Sequence, residues 1–85
     1  MEAITKTHSI TLYNDDKLSF DYVIACLVMH CDHTLFQAEQ CALVVHNTGK
    51  CKILSGEFME MFELQNKLNQ LTLKTELTAY ESNLY

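Results

Sequence analysis

The sequence predicts an α+β domain, a three-stranded antiparallel sheet packed against three helices in the order βααβαβ. Three observations carry the prediction. Polar and apolar residues alternate in three short segments, apolar residues recur at helical spacing in three others, and the connections between them are short. Each apolar sheet face and helix stripe needs another to bury against, and a sheet covered by helices satisfies them all.

His8-Ser9-Ile10-Thr11-Leu12-Tyr13 alternates, so it is expected as a half-buried strand with Ile10 and Leu12 inward, stopped by Asn14-Asp15-Asp16. Ser19 suits an N-cap. Phe20, Val23, Ile24, Leu27, Val28 and Cys31 then fall at i, i+3, i+4, i+7, i+8 and i+11, the broad stripe of a helix. Asp32-His33 makes a short turn. Thr34-Leu35-Phe36-Gln37 has the form of a capping box, and Ala38, Cys41, Ala42 and Val45 continue as the inner face of a second helix ending at His46. Gly49 fits the left-handed position that follows.

Lys50-Cys51-Lys52-Ile53-Leu54 alternates again, with Cys51 and Ile53 expected on one face. Ser55-Gly56-Glu57 marks the start of a third helix with Phe58, Met61, Phe62, Leu64, Leu68 and Leu71 as its apolar face. Thr75-Glu76-Leu77-Thr78-Ala79-Tyr80 is expected as an edge or closing strand. With two Gly and no Pro, the turns rely on Asn, Asp and Ser.

Eighty-five residues make one domain, whose single core buries roughly 60–65% of the unfolded chain's surface. Residues 1–7 are expected as a short flexible arm, 8–81 as the domain and 82–85 as a tail. At 48% hydrophobic and 20% charged, without low-complexity stretches, the composition is that of a globular chain. Eleven acidic residues stand against six basic ones, all Lys, for a net charge of −5. That leaves no basic stripe for a phosphate backbone and no guanidinium fork, which argues against nucleic acid. The N-terminus has no apolar signal region, and the longest apolar run, Tyr22 to Met29, is far too short to span a bilayer. The expected location is the cytoplasm, where Cys26, Cys31, Cys41 and Cys51 stay reduced and pack as small hydrophobes.

Two segments carry the chemistry. Asn14-Asp15-Asp16 closes the first strand and Val45-His46-Asn47-Thr48-Gly49-Lys50 closes the second helix. Together they offer an amide carbonyl, a carboxylate and an imidazole. A free α-amino group, with a pKa near 7.7–8.0, is mostly an ammonium at neutral pH, and its three N–H donors need three acceptors once desolvated. Asn14, Asp15 and a neutral His46 nitrogen supply that number. Each cluster also has a plainer reading: Asn-Asp-Asp as a solvated turn capping its own backbone, and His46 as a cation at a helix C-terminus.

Asn14-Asp15-Asp16 after a strand, Phe20-Asp21-Tyr22-Val23 opening a helix and Val45-His46-x-x-Gly49-Lys50 ending the next resemble the signature of the ClpS family. These are bacterial adaptors that deliver N-degron substrates to a ClpA or ClpC unfoldase and its ClpP protease. The resemblance runs from about His8 to Glu81 and implies the same βααβαβ fold. It implies that Asn14, Asp15 and His46 hold the α-amino group. It also implies that Leu18, Phe20, Val23, Ala42 and Val45 form the side-chain pocket, with Leu18 and Phe20 at its mouth. The implied protein is a non-enzymatic monomer without metal or cofactor, partnered by N-degron substrates and a Clp AAA+ unfoldase.

This chain departs from the family in places. Leu18-Ser19-Phe20 stands where the family usually has Thr-Pro-Met, and Ala42 where a Met is common, which leaves the preferred first residue open among Leu, Phe, Tyr and Trp. The arm before His8 is shorter than usual, and the stretch before the last strand lacks the family's His-Pro. On the third helix, Glu57, Glu60 and Glu63 suit a helix N-terminus and a solvated face; in the family the unfoldase contact lies partly on this helix.

A different class of reading uses the thiols. Cys31, His33, Cys41 and Cys51 would make a small metal-binding or structural interaction module if they converged on zinc, which takes tetrahedral Cys and His ligands. No C-x₂₋₄-C knuckle supports it. An enzyme is disfavoured as well, because no Ser or Cys sits in an elbow beside an oxyanion loop.

Overall fold

The computed structural model describes residues 7–79. Residues 1–6 of the expected arm, Tyr80 at the end of the last expected strand, and the tail lie outside them. The elements run β1 (His8–Tyr13), α1 (Phe20–His30), α2 (Leu35–Thr48), β2 (Lys50–Gly56), α3 (Phe58–Gln70) and β3 (Thr75–Ala79). This is the expected α+β order. The sheet is antiparallel with β1 in the centre, in the order β2-β1-β3.

Ile10 and Leu12 point into the core from the central strand, where they meet Leu27 and Cys31 of α1, Ala38, Cys41 and Val45 of α2, Ile53 of β2, and Met61 and Leu68 of α3. The inner face of α2 is the one expected, and both caps form. Thr34 and Gln37 exchange hydrogen bonds with each other's backbone at the N-terminus, and Gly49 takes the left-handed conformation at the C-terminus.

The other two helices bury only part of the expected stripe. Phe20 and Val28 of α1 are exposed while Cys26 is buried, so the helix buries a narrower face than its apolar residues suggest. In α3, Phe58 and Phe62 are 41% and 40% exposed and stack on each other at 5.6 Å, with His8 against Phe58 at 4.8 Å. Met61 and Leu68, both on the expected face, take the core positions. Ser55 and Gly56 belong to β2, so the third helix starts at Phe58, and Glu57 at its N-cap makes no side-chain cap.

The β1–β2 register shifts between Ile10 and Thr11, which leaves Ile53 as the extra residue of a bulge. Its carbonyl oxygen accepts a hydrogen bond from His33 Nε2 at 2.8 Å, so the turn between α1 and α2 is pinned to the bulge.

Candidate functional site

Backbone pairing brings the two chemistry-bearing segments together. Gly49, at φ 97°, donates its N–H to the Val45 carbonyl at 2.8 Å and turns the chain from α2 into β2, whose first residue, Lys50, stands opposite Tyr13. The Gly49 carbonyl then accepts from the Asn14 N–H at 2.9 Å. The acidic turn after β1 is therefore fixed beside the last turn of α2. A Cβ on Gly49 would meet nothing within 4 Å, so the demand for glycine is one of dihedral angle and not of space.

Between these segments lies a hollow of about 190 Å³. Asn14, Asp15, Leu18, Phe20, Val23, Ala42, Val45 and His46, the eight residues singled out from the sequence, all line it. Leu12, Tyr13, Asp16 and Leu73 line it as well. Leu12 and Leu73 are 1% and 2% exposed and form the floor, Ala42 and Val45 form a buried wall, and Phe20, 42% exposed, stands at the mouth. Phe20 is placed there by the Ser19 cap, whose hydroxyl accepts from the Tyr22 N–H at 3.0 Å and starts α1 at that residue.

The rim is polar and its groups are oriented. Asn14 Nδ2 donates to Asp16 Oδ1 at 3.1 Å, which turns the amide so that its carbonyl oxygen remains an acceptor. Asp15 Oδ1 accepts from the Lys17 N–H at 3.0 Å in an Asx turn, with the second carboxylate oxygen left over. His46 sits exposed in the last turn of α2. A carboxylate, an amide oxygen and an imidazole around an apolar hollow suit a group that is cationic at one end and apolar at the other. Among the described residues no thiol lines the hollow, and its one hydroxyl side chain, Tyr13, donates to Glu76 Oε1 at 2.5 Å. That bond, with the Glu76 charge beside it, holds the Tyr13 phenol protonated above its usual range.

Leu12 and Leu73 escaped the sequence reading of the site. Leu12 was legible as an inward strand residue two positions before Asn14. Leu73 was not, because it lies in the irregular turn after α3. There Thr72 takes φ 71°, the Leu71 carbonyl accepts from the Tyr22 hydroxyl at 2.7 Å, and the Leu73 N–H donates to the Leu68 carbonyl at 3.0 Å.

The alternative that joined Cys31, His33, Cys41 and Cys51 as metal ligands is corrected. Among the described residues no three His, Cys, Asp or Glu side chains are grouped to hold a metal ion. Cys31 is core, and burial, aided by neighbouring Cys26, pushes its thiol up to about 11. His33 is committed through Nε2 to the Ile53 carbonyl.

Over residues 3–79 the chain matches the family model of the ATP-dependent Clp protease adaptor protein ClpS. The chain belongs to the ClpS family. A Clp protease adaptor is thus its role, and the family is one of adaptors, not of catalysts. A search of curated proteins gives no significant match. No helix among the described residues is long and apolar enough to cross a membrane.

Proposed function

We propose that this ClpS-family chain is an N-degron adaptor. Asn14, Asp15 and His46 hold the α-ammonium of a substrate, and Leu18, Phe20, Val23, Ala42 and Val45 enclose its first side chain. The observation that carries the reading is the convergence of these eight residues, from two separate stretches of chain, on one hollow. Its size suits a single bulky side chain: a cavity of about 150 Å³ accepts a benzene ring. Hydrogen bonds to a charged group contribute roughly 1.5–3 kcal/mol each, and burial of a Leu- or Phe-sized side chain a similar amount. Against an association cost of at least about 4 kcal/mol, the balance corresponds to affinity on the order of micromolar. Neither the rim nor the hollow suffices alone.

In this reading the protein acts in the cytoplasm as a monomer, without metal or cofactor, and presents the bound chain end to a AAA+ unfoldase of the ClpA or ClpC type working with ClpP. The test is a fluorescence anisotropy titration with labelled peptides that differ only at the first residue. Peptides starting with Leu or Phe are expected to bind, while peptides starting with Ala or Glu, and the acetylated Leu and Phe peptides, are not. Acetylation removes both the charge and donors of the amine. Equal affinity for free and acetylated peptides would end the proposal.

A further inference from the structure

Tyr22 stands in the first turn of α1 and does not line the hollow, yet its two polar groups reach the residues that set both ends of it. Its backbone N–H donates to the Ser19 hydroxyl at 3.0 Å, the cap that starts α1 at Phe20 and so fixes the mouth. Its phenol hydroxyl donates to the Leu71 carbonyl at 2.7 Å. Leu71 is the C-cap of α3, where a carbonyl has no partner within its own helix, and the adjacent Thr72 hydroxyl donates to the same oxygen. Two residues on, Leu73 makes the floor of the hollow, 2% exposed, with its N–H on the Leu68 carbonyl at 3.0 Å. Between them Thr72 holds φ 71°, a left-handed conformation that is strained for a β-branched residue and persists only where the surroundings hold it. Beyond Leu73, the Lys74 carbonyl accepts from the Tyr13 N–H at 2.9 Å. The strained turn that carries the floor is thus pinned by β1 on one side and by Tyr22 on the other.

We propose that Tyr22 is a positioning residue of the hollow: its hydroxyl holds the turn after α3 closed, which keeps Leu73 at the depth that fits a bulky first side chain while Phe20 stays at the mouth. The role rests on the N-degron reading for its ligand and on the turn alone for its geometry. Phenylalanine at position 22 keeps the ring and loses only the bond. The strain at Thr72 then opens the turn in part of the population, and a molecule without its floor does not bind, so apparent affinity falls with the closed fraction. Glycine takes φ 71° without a Cβ clash, so glycine at position 72 makes the hydroxyl dispensable.

The test compares the wild type, Tyr22→Phe and the double variant Tyr22→Phe with Thr72→Gly, each as the full chain and well below its Tm. Two quantities are read: amide hydrogen exchange at Leu73 by NMR, and affinity for a Phe-started peptide by fluorescence anisotropy. Tyr22→Phe is expected to speed exchange at Leu73 roughly two- to twelve-fold, the worth of one neutral hydrogen bond, and to weaken the peptide by about twofold or more, up to the same factor. The double variant returns both quantities toward the wild type. A tyrosine with a merely structural role would lower Tm and leave the affinity of the folded chain unmoved, and that result overturns the proposal. Unchanged exchange at Leu73 overturns it too, whether or not a peptide binds. A wild type that fails to bind the free peptide counts instead against the N-degron reading, and exchange at Leu73 then decides the role of Tyr22.

Discussion

At the scale of single residues, the rim of the hollow separates charge from geometry in a way that substitution can exploit. Asp15 spends one oxygen on the Lys17 N–H, so removing the whole side chain would disturb the turn as well as the rim. Asp15→Asn keeps an acceptor for that N–H and removes only the charge. The expected result is a loss of roughly 10- to 150-fold in affinity for a Phe-started peptide, the worth of one charge-assisted bond, with Tm unchanged. Calorimetric titration together with a melting curve checks it; unchanged affinity would dissociate Asp15 from ammonium binding. Ala42 makes the complementary case for the hollow. It is 4% exposed and the smallest of the wall residues, so Ala42→Met places three further heavy atoms in the cavity. Affinity for Phe-started peptides is expected to fall by about tenfold or more, the scale of overpacking a fitted site, and the fall should be smaller for Leu. Equal losses for both would show that Ala42 does not shape the hollow.

At the scale of elements, α2 carries both a structural and a site-forming end, and the two are separable. Thr34→Ala removes the capping box and is expected to cost about 1 kcal/mol of stability while leaving peptide affinity alone, since that end lies away from the hollow. Gly49→Ala forces a side chain into φ 97° at a similar cost of about 1–2 kcal/mol, but it also strains the turn whose carbonyl holds Asn14. Only the second is expected to weaken peptide binding, and denaturant melts run beside titrations distinguish the pair. These features of α2 were legible in the sequence because they are local: a capping box, a 3.6-residue stripe and a terminal glycine each declare themselves within a turn or two. The faces of α1 and α3 were not. Their apolar residues outnumber the positions the sheet can cover, so periodicity, which put Met61 on the inner face, could not say that Cys26 also goes in while Phe20, Val28, Phe58 and Phe62 stay out. Leu73 was hidden for a related reason, since its burial depends on a turn at Thr72 with φ 71°, which a β-branched residue seldom adopts. Asn14, Asp15 and His46 were found because the two motifs stand at strand and helix ends that antiparallel pairing joins, and the five pocket residues were named by the resemblance to the family, whereas the floor is supplied by a part of the chain without a motif.

At the scale of the whole molecule, the thiols that fill the core make its stability sensitive to base. Burial raises Cys31 from its ordinary 9.0 to about 11, and Cys41 shifts in the same direction. Both folded-state values lie above the unfolded ones, so the native chain holds more protons than the unfolded chain once the pH passes 9. The stabilisation from keeping these thiols neutral is complete below that pH and is lost as pH rises toward the folded value. Cys31 alone accounts for roughly 2–3 kcal/mol by pH 11, a large share of the 5–15 kcal/mol typical of a domain. Melting curves from pH 8 to 11 are expected to show a plateau followed by a steep fall in Tm. In Cys31→Ala the plateau should sit lower, because a buried side chain is lost, and the fall should be shallower, because one titrating group is gone. The slope is the diagnostic quantity, since it counts protons and is insensitive to the packing lost. An identical slope in wild type and Cys31→Ala would mean that the core thiols do not govern the base limb.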